Sequence, residues 1–235
     1  MFDLNAFESN FSLGFYEQEC SYLSGKTANF HYVYCTDPSY YRYLLDAGYR
    51  RAGSIAYRMA CENCRECRVI RLRVDDFQPT KSQRRVWNKS KDFFTIKLST
   101  PSPTDEKIHV YNEYLMYQHH KEFDGDYSGF FVDSFLPRTF GKICTMECCL
   151  YYKDTLAGLG IVDFVEDVLS SVYFYFHPDF AKRSPGVFSV MAEIRLAQQL
   201  GLTYYYPGFY IEDCPAMSYK ADYSPHEIFT PPLLP

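Results

Sequence analysis

The fold is decided by the stretch TLAGLGIVDFVEDVLSSVYFYF (155–176) and by two segments that follow it, SPGVFSVMAEIRLAQQLG (184–201) and TYYYPGFYI (203–211). The first stretch predicts two apolar strands joined by a turn at Glu166 and Asp167. The second predicts a helix, because Ser184 is a good N-cap and Gly201 a common stop. The third predicts one more strand. The segment therefore alternates from strands to a helix and back to a strand.

The chain before this stretch supplies another strand and a long helix. ICTMECCLYY (143–152) predicts the first strand of the same meander, and a helix is expected after Thr104. The loop STPSPT (99–104) is the clearest break between periodic segments. We therefore predict an N-terminal domain over residues 1–100 and a second domain over residues 101–235.

The first hundred residues mix both kinds of element. The first thirty-odd residues are rich in Tyr and Phe and show no regular period. The other segments predict, in turn, a helix, two strands, a helix and a strand: DPSYYRYLLDAG (37–48), SIAYRMA (54–60), CRVIRLRV (67–74), KSQRRVWNKSKD (81–92) and FFTIKLS (93–99). The whole pattern predicts an α+β protein, with an acetyltransferase-like (GNAT-like) mixed sheet, flanking helices and a smaller Cys-containing N-terminal α/β part.

Charge is distributed unevenly along the 235 residues. The formal net charge is -5, yet residues 50–91 hold twelve Lys or Arg and only four acids, a local balance of +8 that leaves -13 for the rest. Clustered basic residues are the electrostatic mark of a nucleic-acid partner even where the whole chain is acidic. We expect this window to carry an RNA-binding face.

Composition excludes several classes of protein. Aromatic residues make up 19% of the chain and charged residues 23%, a mixture that excludes disorder, collagen and coiled coil. No uninterrupted apolar run approaches the roughly 20 residues of a membrane span. The segment MFDLNAFESN (1–10) carries acids where an export signal carries bases, so we expect a cytoplasmic protein. The sequence lacks the P-loop and the H-E-x-x-H motif.

Nine cysteines in a chain without an export signal indicate thiols or metal ligands rather than disulfides. Cys61, Cys64 and Cys67 have the C-x2-C-x2-C spacing, which can close around one metal ion or cluster. Cys20 is the natural fourth ligand, with Cys35 or His31 as substitutes. Zinc and an iron–sulfur cluster both remain open, and so does a loop of packed thiols without metal.

Two further features are candidates for a site. Lys182 and Arg183 directly precede the helix that follows Ser184, where two cations and the helix dipole would attract a phosphate. A capped surface helix with two solvated cations is equally open. Asp163 interrupts an apolar strand, where a carboxylate has to be paired, hydrogen-bonded or used in chemistry.

Several segments together resemble one family, the aminoacyl-tRNA–protein transferases. They are CSYLSGKTANF (20–30), AGYRRAGSIAYRMACENCRECRVIRLRVDDFQPTKSQRR (47–85), GIVDF (160–164), LSSVYFYFHPD (169–179), GFYI (208–211) and MSYKADYSPHE (217–227). The length and the three-Cys loop look most like the bacterial aspartate/glutamate leucyltransferases, which are related to the eukaryotic arginyltransferases. The chain departs from the family at Ser184-Pro185-Gly186 and at Pro207-Gly208-Phe209. Those two departures leave the donor open between leucyl and arginyl.

The resemblance implies an aminoacyltransferase with no cofactor required for its chemistry. It would take leucine, or alternatively arginine, from charged tRNA and join it to the α-amine of proteins beginning with Asp or Glu, which marks them for degradation. Its partners would be that tRNA and those proteins, with no DNA and no membrane. Residues 1–100 would then carry the tRNA face, and residues 101–235 the transfer site.

The site residues expected under this resemblance fall into four groups. Asp163 would orient or deprotonate the acceptor amine, or hold the donor's ammonium, although a structural hydrogen bond is equally open. Acidic N-termini require cations, for which the candidates are Arg50, Arg51, Arg58 and Lys220. Tyr173 and Tyr175 would line the aminoacyl pocket, with core packing as the alternative. The candidates for tRNA phosphates are Arg71, Arg73, Lys81, Arg84, Arg85, Lys89, Lys182 and Arg183.

A function of another class stays open beside this one. The Cys loop and the basic window also suit a zinc or iron–sulfur RNA-binding protein without transferase activity. Such a protein would bind charged and uncharged tRNA equally and transfer nothing.

Overall fold

A computed structural model describes residues 3–34, 38–53, 55–122 and 144–231. The strands are β1 (Ser12–Glu19), β2 (Thr27–Tyr34), β3 (Arg50–Ala52), β4 (Ile55–Met59), β5 (Arg68–Arg73), β6 (Thr95–Ser99), β7 (Cys144–Tyr152), β8 (Thr155–Val165), β9 (Val168–Phe176), β10 (Tyr204–Tyr206), β11 (Phe209–Tyr210) and β12 (Glu227–Phe229). The helices are α1 (Leu4–Phe11), α2 (Pro38–Asp46), α3 (Lys81–Ser90), α4 (Asp105–His119), α5 (Pro185–Gln199) and α6 (Pro215–Ser218).

The larger sheet is mixed. Its order is β11-β5-β10-β9-β8-β7-β6, and β12 pairs with β5. The meander β7–β8–β9 is antiparallel, whereas β10 runs parallel to β9 after the chain has crossed over through α5. Strand β8 is buried almost throughout, which explains why its sequence is a nearly continuous apolar run. The predicted α+β class, with a mixed sheet and flanking helices, is confirmed.

The smaller sheet has the order β1-β2-β4-β3. The prediction of an irregular N-terminal segment was wrong, because residues 4–34 form α1 and the antiparallel pair β1–β2. Strand β1 lies at the sheet edge and is exposed on both faces, so its sequence lacks the alternation that marks a half-buried strand. Tyr204–Tyr206 and Phe209–Tyr210 replace the single last strand that was expected, because the chain breaks at Pro207 and Gly208.

Two helices begin as their sequences predict. Thr80 caps α3, and its hydroxyl and the Gln83 side chain satisfy each other's backbone N–H groups in a capping box. Thr104 caps α4 by accepting from the backbone N–H of Lys107. The α2 helix follows Asp37, which lies outside the described residues, and Gly48 ends the turn after it with a positive φ of 85°.

The two sheets share an apolar core. Residues from α1, α2, β2, β4, β5, β8, β9 and β10 pack in one cluster, in which Tyr41, Leu44 and Val165 are fully buried. Strands from both sides of residue 100 hydrogen-bond within the larger sheet. The division into domains at residue 100 stays a prediction.

No helix in the described part of the chain is both long and apolar enough to cross a membrane.

Candidate active site

A cavity of about 600 Å³ opens where β9 and β10 separate. The two strands pair only as far as Tyr206 and Ser170, and β9 then continues to Phe176 without pairing with β10. Opposite Ile161 and Val162 the register shifts at Val172, so β9 bulges next to the gap. Gly186, in the first turn of α5, lines the same cavity. The volume lies in the range of small-ligand pockets.

Arg50 forms a cationic part of the cavity wall. It extends from β3, its residue is 6% exposed, and its two terminal nitrogens donate to the carbonyl oxygens of Tyr49 and Gly208, at 2.9 Å each. Its Nε is buried and has no hydrogen-bond partner. Burial lowers the pKa of Arg50, although arginine stays charged at neutral pH.

Lys220 lies on the same wall. Its Nζ donates to the Phe209 carbonyl oxygen at 2.6 Å and lies 3.1 Å from the Met217 sulfur. Burial, followed by repulsion from Arg50, lowers the pKa of Lys220 to about 7. A Cβ at position 208 would lie 3.2 Å from this Nζ, and Gly208 has a φ of 108°, so the site requires glycine there.

Neither cation forms an ion pair with a carboxylate among the described residues. The ion pairs among the described residues involve other Arg, Lys or His side chains. A buried charge without a counter-ion costs free energy, which an anionic ligand would recover. The wall formed by Arg50 and Lys220 therefore suits a carboxylate.

Asp163 is fully buried in β8 and fully engaged. Its Oδ2 accepts from Arg51 Nε at 2.7 Å and from the Tyr41 hydroxyl at 3.1 Å, while Oδ1 accepts from the Thr145 hydroxyl at 2.7 Å. Asp163 does not reach the cavity, whereas Arg51 does. These contacts support the structural alternative to the predicted proton-accepting role: Asp163 holds Arg51 in place at the cavity wall.

A different carboxylate lines the cavity. Glu193 extends from α5, is 1% exposed, and accepts from the Ser189 and Tyr205 hydroxyls at 2.9 and 2.8 Å. Burial raises the pKa of Glu193, and those hydrogen bonds oppose the rise. The sequence patterns did not single out this residue. The available signal was that Glu193 is the only acid of α5 and stands between Ala192 and Ile194 in an apolar run.

Two of the predicted pocket residues lie elsewhere. Tyr173 lines the cavity, but Tyr175 is fully buried in the core, with its hydroxyl 3.3 Å from the Lys107 carbonyl oxygen. Arg58 forms a buried ion pair with Glu8 at 2.8 Å and lines a separate cavity beside the Cys loop. The predictions for Tyr175 and Arg58 therefore do not fit the geometry.

The exposed face of α3 is basic. Lys81, Arg84, Arg85 and Lys89 are all exposed and border one shallow groove. Lys182 and Arg183 are exposed at the end of a 3-10 helix that packs against α3, and Ser90 Oγ lies 3.4 Å from the Arg183 carbonyl oxygen. These six residues are hereafter called the basic face, and their predicted role in binding tRNA stays a prediction. Arg195, whose guanidinium stacks 4.2 Å from the Trp87 ring, extends this surface onto α5 and was missed.

The other two basic candidates have internal partners. Arg71 is paired with Asp46 at 2.7 Å and Glu227 at 2.6 Å, and it stacks 4.4 Å from the Tyr204 ring. Arg73 is exposed and 3.4 Å from Asp76. The contacts of Arg71 therefore do not support the predicted role in phosphate binding, and Arg73 stands apart from the basic face.

The Cys loop brings four thiols near one another. Burial raises the pKa of Cys67 to about 12, and the charges of Cys61, Cys20 and Cys64 add to the rise. Within residues 3–34, 38–53, 55–122 and 144–231, however, no three His, Cys, Asp or Glu side chains are grouped as a metal site. His31 is hydrogen-bonded to Ser12 and Tyr49 instead, and Cys35 lies outside the described residues. A zinc ion or iron–sulfur cluster stays a prediction.

Solved structures that resemble this chain include distant neighbours. A GCN5-related N-acetyltransferase from Anabaena variabilis is 14% identical, with 86% of this chain and 43% of that chain aligned at a TM-score of 0.41. FemX is 9% identical, with 89% and 82% aligned at a TM-score of 0.47.

Sequence comparison is more specific. Residues 18–85 match the family model "Arginine-tRNA-protein transferase, N terminus", and residues 106–230 match the model "Arginine-tRNA-protein transferase, C terminus". The aspartate/glutamate leucyltransferase of Campylobacter jejuni strain 81-176 is 34% identical over 221 residues, 90% of each chain. That of Saccharophagus degradans is 35% identical over 216 residues, 89% of each chain. The chain belongs to the arginine-tRNA-protein transferase family.

The contacts of Asp163 generate a stability prediction. Asp163→Ala leaves the buried Arg51 without its carboxylate, which should lower the free energy of unfolding by about 3–5 kcal/mol. Urea unfolding followed by circular dichroism measures this loss. The matched control is Asp167→Ala, which removes a surface pair with Arg42 and should cost under about 1 kcal/mol. Unchanged stability of Asp163→Ala together with lost transfer would instead assign Asp163 to the chemistry.

Proposed function

We propose that this protein transfers an aminoacyl group, leucyl in preference to arginyl, from charged tRNA to the α-amine of proteins that begin with Asp or Glu. The observation that supports this most directly is the pair of buried cations, Arg50 and Lys220, that face the cavity without a carboxylate partner. The names of the bacterial relatives point to the same acceptors. Modified proteins would then be marked for degradation in the cytoplasm.

Acceptor selection follows from the charge of this wall. The side-chain carboxylate of an N-terminal Asp or Glu would supply the anion that Arg50 and Lys220 lack, and the buried Nε of Arg50 is a donor still free to bond. A neutral Asn or Gln side chain would leave both charges unpaired. Discrimination against such a side chain is strong, because its complex would contain buried charges without a counter-ion, and this lowers its binding affinity.

The chemistry requires positioning rather than a strong catalyst. An aminoacyl ester is activated, and about a tenth of an α-amine with a pKa near 8 is already neutral at pH 7. The two reactants would meet in the cavity between Tyr173 on β9 and Phe209 on β11, which both line it. Holding amine and ester in contact can remove several kcal/mol of the barrier.

The leucyl donor is favoured by an apolar part of the wall. Tyr114, Phe174 and Phe176 line the cavity where α4 meets β9, with the Tyr114 and Phe176 ring centroids 5.2 Å apart. An aliphatic side chain packs well against such rings.

The tRNA would bind on the basic face. Its phosphates would meet Lys81, Arg84, Arg85 and Lys89 on α3, and Lys182 and Arg183 lie between these residues and the first turn of α5. Because Gly186 of that turn lines the cavity, the basic face leads from the surface to the site of transfer. An RNA-binding protein without transferase activity would not need this cavity.

The function is tested with labelled donors. Leucyl-tRNA and arginyl-tRNA are each incubated with the protein and with peptides that differ only in beginning with Asp or Asn. We expect label on the Asp peptide from leucyl-tRNA and at least 100-fold less on the Asn peptide (about 3 kcal/mol of discrimination). Transfer from arginyl-tRNA alone would make the protein an arginyltransferase. No transfer from either donor would overturn the enzyme and favour the RNA-binding alternative.

Recognition of the acceptor should depend on pH through Lys220. Because its pKa is about 7, the charged share falls from about nine-tenths at pH 6 to about a tenth at pH 8. The affinity ratio of Asp-first over Asn-first peptide should therefore fall as the pH rises, by up to about tenfold. Calorimetric titration of both peptides measures the ratio, in which the protonation of their α-amines cancels.

The variant Lys220→Gln provides the control for this prediction. It removes the titrating amine while Arg50 remains, so its affinity ratio should be low and constant from pH 6 to pH 8. A ratio that keeps its pH dependence in this variant would show that another group titrates.

The basic face predicts a salt effect. Arg84→Ala combined with Arg85→Ala removes two phosphate contacts, which should flatten the slope of log K against log salt by about 1.5 to 2. Filter binding of tRNA between low and physiological salt measures the slope. Lys26→Ala with Lys97→Ala removes the same charge from exposed positions outside the basic face and should leave the slope unchanged. Equal slopes in both double variants would exclude the basic face as the tRNA site.

A further inference from the structure

Glu193 is a buried carboxylate of the cavity that the proposed function has not used. It is the only acid among the residues that line the cavity in the described part of the chain. Its carboxylate receives hydrogen bonds from hydroxyl groups, and no Lys, Arg or His among the described residues forms an ion pair with it. A carboxylate in this position lacks a cation in the same way that Arg50 and Lys220 lack an anion.

The backbone around Glu193 leaves room for its carboxyl group. A Cβ at Gly160 would lie 3.3 Å from Glu193 Oε1 and 3.6 Å from the Ser189 hydroxyl. Glycine at this position of β8 therefore lets the carboxylate and its hydroxyl partner sit against the sheet. Helix α5 is rigidly packed, since Met191 and Ile194 on either side of Glu193 are buried in the core. The carboxylate is thus fixed in place by packing as well as by hydrogen bonds.

The titratable groups that face Glu193 within the described residues lie on several neighbouring elements, and none of them is a cation. Its charge influences the titration of Cys148 on β7, Tyr205 on β10, and Tyr219 and Tyr223 in the C-terminal segment. All four groups are neutral at pH 7, because burial raises each of their pKa values. An ammonium group entering the cavity would therefore be the first positive charge to meet this carboxylate.

We infer that Glu193 is the catalytic base of the transfer, the carboxylate that takes a proton from the acceptor's α-ammonium. The inference rests on the proposed function, since it assigns the proton acceptor of that reaction. The acceptor has two charges of opposite sign, and the cavity has two matching walls. Arg50 and Lys220 would bind its side-chain carboxylate, and Glu193 would face its ammonium.

The proton and electron pairs balance as follows. The ammonium loses one proton to the Glu193 carboxylate, and the freed nitrogen lone pair forms the new C–N bond at the ester carbonyl carbon. The C–O bond of the ester then breaks, and its electron pair leaves with the ribose oxygen. That oxygen takes the second proton from the nitrogen, while Glu193 releases the first proton to water. The products are an amide, an alcohol and one proton.

The role of Glu193 also accounts for its buried position. Burial raises the pKa of Glu193 toward that of an α-amine, which improves the match between proton donor and acceptor. The hydrogen bonds from Ser189 and Tyr205 keep the group available as a carboxylate by opposing that rise. A fully exposed glutamate would be too weak a base for the same task.

The test compares Glu193→Gln with the parent in single-turnover transfer from leucyl-tRNA to an Asp-first peptide. Gln keeps the volume of Glu but cannot take the proton, so only the tenth of the acceptor that is already neutral can react, and the rate at pH 7 should fall about tenfold. At pH 9 the α-amine is already neutral, and the deficit should shrink to less than about twofold. Glu113→Gln, an exposed change of the same kind on α4, should keep the parental rate at both pH values.

A second acceptor separates proton transfer from a structural role. In the same peptide an aminooxy group replaces the α-amine, so the nucleophile is neutral at pH 7 and needs no base. Parent and Glu193→Gln should then react at rates within about threefold of each other. A deficit that persists with this acceptor, or that stays constant from pH 7 to pH 9, would overturn the inference.

The outcomes distinguish this inference from the proposed function. Transfer by the parent combined with a parental rate for Glu193→Gln at pH 7 overturns the inference alone. Absence of transfer by the parent, with either donor, overturns both. Near-ultraviolet circular dichroism and tRNA affinity equal to those of the parent confirm that the variant is folded.

Discussion

The structure depends on charges that are buried at the junction of its two sheets. Arg51 on β3 of the smaller sheet meets Asp163 on β8 of the larger one, and both side chains are almost completely removed from water. The attraction within such a pair offsets the desolvation of its two charges only if the geometry is good and the remaining polar atoms are hydrogen-bonded. Tyr41 and Thr145 supply the hydrogen bonds to Asp163. The pair thereby fixes the position of β3, and with it the position of Arg50 at the cavity wall.

Charge separation inside the cavity follows from that anchoring. Arg51 is neutralised by its ion pair with Asp163. Arg50 beside it donates only to backbone carbonyl oxygens, so its charge is available to an anionic ligand. Two adjacent arginines of the same strand thus serve different purposes. The low polarity around them strengthens the attraction between Arg50 and an anion. It also raises the free-energy cost of a bound state in which Arg50 has no counter-ion. The proposed selectivity for an acidic acceptor would then be a consequence of burial as much as of charge.

The sequence predicted the elements well where periodicity and caps were strong. Helix α3, helix α5 and the strands β7, β8 and β9 follow from their patterns, and the basic face follows from the spacing of Lys81, Arg85 and Lys89. The cavity did not follow, because it arises where β9 outruns β10, and a gap between strands leaves no periodic signal. Asp163 and Glu193 looked alike in sequence, as single acids in apolar segments. The structure distinguishes them, because Asp163 forms an ion pair with Arg51, whereas Glu193 accepts a hydrogen bond from Tyr205 and forms no ion pair among the described residues.

Helix α5 joins the surface to the chemistry. On one side Phe188 stacks against Trp87 of α3, with ring centroids 5.1 Å apart, and on the other side Ser189 and Glu193 face the cavity. Helix α3, which would bind the phosphates, therefore packs against the helix that carries the carboxylate. Because α5 is also held by the core around Met191, we expect the carboxylate to keep its position whether or not tRNA is bound. The fold thus allows the ester to be delivered to a site that is already assembled, and binding energy need not be spent on building it.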